Sequence, residues 1–146
     1  MSVDKNKAVV RRYLDEVWNQ ARFEVADELV SPTYAIGNVG SGPEGSRANV
    51  RAFRTAFPDL NIIIEDLVAE GDKVVARMRL SGTHHGPFRE YAPTGRHATW
   101  KEVGIWTVRD GHLQAGWFLA DMYGLRQQLG VLPILQADQQ ESLERR

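Results

Sequence analysis

The apolar residues of this chain change their spacing once, at Pro58-Asp59, and this change constrains the fold more than any other feature. Before it, apolar residues recur every three or four positions, as in amphipathic helices. After it, they alternate with polar residues, as in half-buried strands. Helices that precede antiparallel strands, with no strand-helix-strand alternation, predict an α+β fold in which the N-terminal helices pack on one face of a curved antiparallel sheet.

Three helices are predicted in the first part of the chain. An amphipathic helix covers residues 7–18, and a shorter one covers 23–30 and stops at Ser31-Pro32. Ser46 is expected to cap a third helix that ends before Pro58. Residues 34–39 fit a short strand, and the glycine-rich stretch 40–45 matches no nucleotide-binding fingerprint.

Four strands are predicted in the second part. Residues 60–69 and 74–80 form a hairpin around Gly71-Asp72, and residues 98–108 and 113–121 form another around Asp110-Gly111. The stretch 86–95 between the hairpins contains two prolines and is expected to be a loop. The sheet is therefore predicted to be antiparallel throughout.

Length and composition exclude several classes of function. The 146 residues fit one domain, predicted over residues 1–135, followed by a polar tail over 136–146 that we expect to be flexible. A net charge of -1 without a basic stripe argues against nucleic acid, and no apolar stretch suits a signal peptide or a membrane span. We therefore expect a cytoplasmic protein. With no cysteine, and with His85, His97 and His112 poorly spaced for ligation, no metal site is predicted.

Asp121 interrupts an apolar face where the last predicted strand ends. An inward carboxylate is desolvated, which disfavours its charged form and suits acid/base catalysis near neutral pH. The alternative is a structural Asp that ends the strand and binds local backbone amides. Counted by the strand period of two, the residues on its face are Leu113, Ala115, Trp117 and Leu119.

Two further polar residues fall on faces predicted to be inward. Glu102 shares the parity of Trp100 and Trp106, and His84 continues the face of Met78. Three titratable groups entering one apolar cavity suit proton transfer at a carbon acid, since one group removes the proton and another stabilises the oxyanion. The alternatives are an ion pair of Glu102 with a β-strand arginine, and a His84 that satisfies loop backbone groups. The apolar walls of the cavity are predicted to come from Trp18, Phe53, Met78, Trp100, Trp106 and Trp117.

Taken together, several segments of the chain resemble the SnoaL-like family, the polyketide-cyclase branch of the cone-shaped fold of nuclear transport factor two, ketosteroid isomerase and limonene epoxide hydrolase. The resemblance spans roughly residues 7–132, and it depends on the order and spacing of the segments rather than on any single one. The segments are residues 13–19, 42–45, 56–60, 70–75, 82–86, 93–96, 110–111, Trp117 with Asp121, Gly124 and 128–130.

The resemblance implies an acid/base role for Asp121 in an intramolecular aldol ring closure, without metal or cofactor. Cyclases of the family carry Gln and His where this chain has Glu102 and Gly104, Asn or His near Ile36, and often Glu-His at Ala115-Gly116. The expected function is therefore a related cofactor-independent acid/base reaction on a hydrophobic, carbonyl-bearing small molecule. Epoxide or ester hydrolysis, and a binding or dimerisation module without chemistry, are the alternatives.

We also expect a homodimer, because an antiparallel sheet with helices on one side leaves its other face uncovered. The residues whose parity places them on this outer face are Val75, Val103, Ile105 and Phe118.

Overall fold

The computed structural model of the chain describes residues 2–35 and 40–132 and shows the predicted α+β architecture. One curved, unclosed antiparallel sheet has the strand order β1-β2-β3-β4. The elements are α1 (Val3–Arg12), a π-helical segment (Tyr13–Asn19), a 3-10 turn (Phe23–Val25), α2 (Ala26–Leu29), α3 (Gly42–Ala56), β1 (Asn61–Glu70), β2 (Lys73–Thr83), β3 (His97–Arg109), β4 (His112–Ala120) and α4 (Met122–Leu129). Part of the strand predicted over 34–39 and the whole tail 136–146 lie outside the described residues.

The start of α3 differs from the prediction. The helix begins at Gly42, with Pro43 in its first turn, so Ser46 lies inside the helix instead of capping it. Proline suits the first turn because its fixed φ matches the helix and the N–H it lacks would have no partner there. The Ser46 hydroxyl is buried and lies 2.6 Å from the Tyr13 hydroxyl, which ties α3 to the π-helical segment.

Two β-bulges curve the sheet and decide which residues face inward. On β1, Ile64 pairs with Met78 and Asp66 with Arg77, which leaves Glu65 as the extra residue. On β4, Leu113 pairs with Val108 and Ala115 with Thr107, which leaves Gln114 as the extra residue. Each bulge reverses the alternation of inner and outer side chains beyond it, because the side-chain period of a strand is two.

Beyond the bulge at Gln114, the inner and outer faces of β4 are the reverse of those predicted. Leu113 is buried as predicted, but beyond the bulge Trp117 and Leu119 turn outward and are 54% and 64% exposed. Phe118, predicted on the outer face, turns inward and packs edge-on against Trp106 at a centroid distance of 5.3 Å. The other residues predicted on the outer face are neighbours across the strands. Val75 pairs with Ile105, and Val103 pairs with the exposed Leu119.

The core lies between the helices and the concave face of the sheet. Its members share the inner parity of β2 and β3 or the apolar faces of the helices, and they include Val10, Val17, Val50, Phe57, Val74, Ala76, Leu80, Ala98 and Trp100. Among the helices described, none is long and apolar enough to cross a membrane.

Candidate active site

A cavity of about 470 Å³ opens between the helices and the inner face of the sheet. This volume suits a small organic ligand, and an apolar wall with a few polar groups is typical of such sites. The lining residues are Tyr13, Leu14, Trp18, Tyr34, Asn49, Phe53, Ile62, Met78, Leu80, Arg89, Glu102, Trp106, Phe118, Leu119, Ala120 and Met122. Glu102 is the only carboxylic acid among them.

The π-helical segment shapes one wall of the cavity. Its hydrogen bonds run from residue i to i+5, so residues five apart approach the same face, which they do not in an α-helix. Tyr13 and Trp18, five apart, both line the cavity. Asn19 fixes the end of this segment to β1, because its side chain donates to the Ile62 carbonyl at 2.9 Å and accepts from the Ile62 N–H at 2.7 Å. The rare helix type thus adds two aromatic side chains to the cavity.

Glu102 lies on β3, where the inner parity directs its side chain into the cavity, as the sequence predicts. It pairs with Met78 on β2 and with Ala120 on β4, so its lateral neighbours are apolar. Its carboxyl group forms no ion pair with the described arginines. Arg77, a strand arginine, bonds Asp66 on the outer face instead. Burial raises the pKa of Glu102 to about 7. A carboxyl group that titrates there can both accept and return a proton near neutral pH.

Two tyrosines supply hydroxyl groups to the same cavity. The Trp106 indole N–H donates to the Tyr34 hydroxyl at 3.3 Å, which leaves the Tyr34 proton able to point toward a ligand. The Tyr13 ring packs edge-on against Tyr34 at a centroid distance of 6.5 Å. Burial raises the pKa of both phenols, so they stay protonated and act as donors at neutral pH.

Glycines on the inner face make room for these side chains. A Cβ atom on Gly116 would come within 2.9 Å of the Tyr34 hydroxyl and of the Phe118 ring. A Cβ atom on Gly104 would likewise press on the Trp106 ring. The space that holds the donor pair Trp106 and Tyr34 therefore depends on the absence of side chains on β3 and β4.

Asp121 is placed differently from the prediction. Its side chain is exposed and caps α4, where its carboxylate accepts from the Gly124 N–H at 2.9 Å. The expected inward burial is wrong because the bulge at Gln114 shifts the parity of β4 before the strand reaches Asp121. Its neighbours Ala120 and Met122 line the cavity, but Asp121 itself does not.

His84 is fully buried but belongs to the packing behind the cavity rather than to its lining. Its Nδ1 accepts from the Thr94 N–H at 3.2 Å and lies 3.0 Å from the Thr94 hydroxyl. The ring packs on Phe57 at 5.5 Å, and burial lowers the pKa of the imidazole. A neutral His84 thus stabilises the loop over residues 84–94 through Thr94. This matches the alternative interpretation of His84 in the sequence analysis, in which it satisfies loop backbone groups.

The six predicted wall residues divide into two groups. Trp18, Phe53, Met78 and Trp106 line the cavity. Trp100 is buried outside it, against Phe57 at 5.1 Å, and Trp117 lies on the outer face of the sheet.

Sequence reasoning missed four polar cavity residues: Tyr13, Tyr34, Asn49 and Arg89. Tyr13 and Asn49 lie on helices, where apolar spacing predicted a buried face but not which polar groups border a cavity. Tyr34 and Arg89 lie outside the regular elements, where periodicity carries no information. A buried Tyr that needs a partner for its hydroxyl is the one available signal, and Tyr34 meets that need through Trp106.

Solved structures of similar proteins share this architecture. TsrD from Streptomyces laurentii is 30% identical, with a TM-score of 0.83 over 90% of this chain and 99% of that one. IdmH from Streptomyces antibioticus, a candidate polyketide cyclase, is 27% identical, with a TM-score of 0.71 over 86% and 99%. AclR from Streptomyces galilaeus, a candidate hydroxylase, is 25% identical, with a TM-score of 0.77 over 99% and 92%.

Two other comparisons concern the sequence itself. No curated protein matches it. The family model of the SnoaL-like polyketide cyclases matches residues 8–129, which is most of the chain and includes every residue that lines the cavity. The chain therefore belongs to the SnoaL-like polyketide cyclase family.

Proposed function

We propose that this protein catalyses a cofactor-independent proton transfer on a hydrophobic, carbonyl-bearing small molecule, as a cyclase or an isomerase does. The observation that carries the proposal is Glu102, a carboxyl group with a pKa of about 7 in an apolar cavity that also holds phenolic donors. Membership of the cyclase family supports the same class of reaction.

The proposed step uses two side chains of the cavity. The Glu102 carboxylate removes a proton from the carbon next to the substrate carbonyl, the electron pair of that C–H bond forms a C=C bond, and the π pair of the carbonyl moves to its oxygen. The Tyr34 hydroxyl donates a hydrogen bond to the resulting enolate oxygen. The enolate carbon then attacks a second carbonyl of the same molecule, whose oxygen takes the proton from Glu102, or Glu102 returns the proton to another carbon. The first outcome closes a ring, and the second isomerises the substrate.

This assignment moves the proton carrier from Asp121 to Glu102. Asp121 is exposed and its carboxylate is engaged by the Gly124 N–H, whereas Glu102 borders the space where a ligand fits. Hydrolysis of an epoxide or ester with a water held between the two carboxylates is less well supported, because only Glu102 lines the cavity.

The test is deuterium exchange at the α-carbon of polyketide, steroid and terpenoid ketones in D2O, followed by NMR. We expect the wild type to accelerate exchange for at least one ketone, and Glu102→Gln to lower that rate by about 10²- to 10⁴-fold, the usual contribution of a general base. Tyr34→Phe should lower it about 10²- to 10³-fold, as removal of one oxyanion donor does. Saturable binding without exchange in the wild type would favour the non-catalytic binding module.

We further propose that a second copy of the chain covers the outer face of the sheet. Side chains from all four strands form a continuous apolar patch there, in the register Val68 to Val75 to Ile105 to Trp117. Val68 and Trp117 are each more than half exposed. A contiguous patch of this kind on one face marks an interaction surface, and a two-fold contact lets one patch cover its own copy.

The dimer is tested by light scattering at micromolar concentration. Wild type should give the dimer mass, and Leu119→Lys should give the monomer mass, because it places a charge beside Val103 on the apolar outer face. Tyr123→Lys is the control, since Tyr123 is equally exposed but lies on α4. A monomeric wild type would contradict the proposal.

A further inference from the structure

Among the described residues that line the cavity, Arg89 is the only cationic one. It occupies the tip of a tight turn in which Phe88 and Tyr91 exchange two backbone hydrogen bonds of 2.9 Å. Its φ of 53° lies in the left-handed region, which non-glycine residues seldom adopt. The turn therefore holds an arginine where a glycine would be the easier choice.

Aromatic packing connects this guanidinium to the cavity wall. It lies over the Phe88 ring, 5.3 Å from the centroid, and Phe88 in turn packs against Phe53 at 5.7 Å. Phe53 itself lines the cavity. The cation is thus supported by a ring on its inner side, while the side chain remains exposed to solvent at the opening.

The charges around the cavity leave Arg89 available to a ligand. Arg89 forms no ion pair with a carboxylate in residues 2–35 and 40–132, in contrast to Arg12, Arg47 and Arg77. The carboxylate of the adjacent Glu90 accepts hydrogen bonds within its own turn, and its charge also interacts with those of Arg126 and Arg89 without forming an ion pair. The one acid inside the cavity, Glu102, is largely neutral below pH 7 because burial raises its pKa. In weakly acidic solution the described lining of the cavity therefore carries the positive charge of Arg89, while the carboxyl group of Glu102 stays largely neutral.

We infer that the ligand of this cavity is a hydrophobic carboxylic acid, bound as its anion, with the carboxylate on Arg89 and the apolar body between the aromatic walls. This inference rests on the proposed function and names its substrate class. A guanidinium offers two parallel N–H groups that match the two oxygens of a carboxylate. The carbonyl of such a ligand can then extend toward Glu102 and Tyr34, which line the same cavity.

Two probes of nearly equal shape test the inference: 2-naphthoate and neutral 2-naphthamide, titrated at pH 6 by calorimetry. The wild type should bind the naphthoate roughly ten- to a hundredfold more tightly, the usual effect of a hydrogen bond to a charged partner. Arg89→Gln should abolish this preference by weakening naphthoate binding. Arg79→Gln, which removes an exposed arginine from the outer face of β2, is the control and should keep the preference.

The pH dependence gives a second readout. From pH 6 to pH 8.5, Glu102 ionises while Tyr13 and Tyr34 stay neutral and Arg89 stays charged, so naphthoate binding should weaken while naphthamide binding changes little. Glu102→Gln should remove this difference.

The outcomes separate this inference from the proposed function. Naphthamide binding with no preference for naphthoate, or a preference that survives Arg89→Gln, would overturn the inference alone. Failure of both probes to bind would count against the hydrophobic ligand site and reject both.

Discussion

Glu102 on β3 and Asp121, which directly follows β4, lie close together, yet their surroundings are opposite. Glu102 pairs with Ala120, and the Asp121 N–H donates to the Lys101 carbonyl at 2.9 Å, so the two residues are separated by one step of the ladder. Glu102 points into an apolar cavity, and burial raises its pKa to about 7. Asp121 is exposed and binds a helix N-terminus. The side of the sheet, rather than the residue type, decides which of the two carboxyl groups borders the cavity.

The largest effect that separates the two acids is on catalysis. In the ketone exchange assay, Glu102→Gln should lose about 10²- to 10⁴-fold in rate, while Asp121→Asn should stay within about threefold of wild type. The wild-type rate should rise with pH through about 7, as the Glu102 carboxylate forms. A rate that collapses in Asp121→Asn but persists in Glu102→Gln would reverse the assignment.

The next effect is on stability across pH. Glu102 has a folded pKa of about 7 against an ordinary value of 4.5, so protonation favours the folded state. This contribution is complete below pH 4.5 and is lost as pH rises through 7, by on the order of 3 kcal/mol at 1.36 kcal/mol per pKa unit. Glu102→Gln should therefore melt roughly 5–10 °C above wild type at pH 8 and close to it at pH 4.5. Thermal melts at both pH values check this, and equal melting differences at both would contradict it.

Asp121 should show the opposite pattern, with a cost in stability instead of a gain. Asp121→Ala removes the acceptor for the Gly124 N–H and should lower the free energy of unfolding by about 1 kcal/mol. Asp121→Asn keeps an acceptor and should cost less, because Asn caps helices as well as Asp does. Urea unfolding at pH 7 measures both. An alanine variant as stable as wild type would remove the structural role.

The smallest expected effect concerns stability at the Asp121 cap of α4. Gly124→Ala gains roughly 1 kcal/mol of helix propensity, but its Cβ atom would meet the Asp121 carboxylate and disturb the cap. The two effects should nearly cancel in the wild type. In an Asp121→Ala background the same change should stabilise by up to about 1 kcal/mol, since no carboxylate is left to displace. Additive single and double variants would show that the cap and the glycine are independent.

The sequence predicted the order of the elements well and the site less well, for one physical reason. The alternation of Val74, Ala76, Met78 and Leu80 and the Asp110-Gly111 turn are local patterns, so the hairpins could be read directly. The inward placement of Glu102 followed because β2 and β3 pair without interruption. The predicted inward placement of Asp121 and Trp117 was wrong because the bulge at Gln114 could not be recognised from the sequence. A bulge adds one residue, and Gln114 does not differ in type from an ordinary strand residue.

The roles of residues outside the helices and strands could not be predicted either, because periodicity carries no information there. The roles of Tyr34 and Arg89 depend on which chain segments meet around the cavity, and Tyr34 reaches Trp106 from 72 positions away. His84 shows the intermediate case. Strand parity predicted its burial, but only the packing on Phe57 and the bonds to Thr94 show that it faces away from the cavity.

The bulge at Gln114 makes β4 tolerant of changes in residue type and intolerant of changes in length. Any apolar residue of similar size can replace Phe118 or Trp117 and still face the same side. Deletion of Gln114 alone would restore regular alternation, turn Trp117 and Leu119 into the cavity, and expel Phe118 to the outer face. Natural variation in this family is therefore expected to exchange apolar residues at Trp117 and Phe118 while conserving the number of residues that separates the bulge from α4.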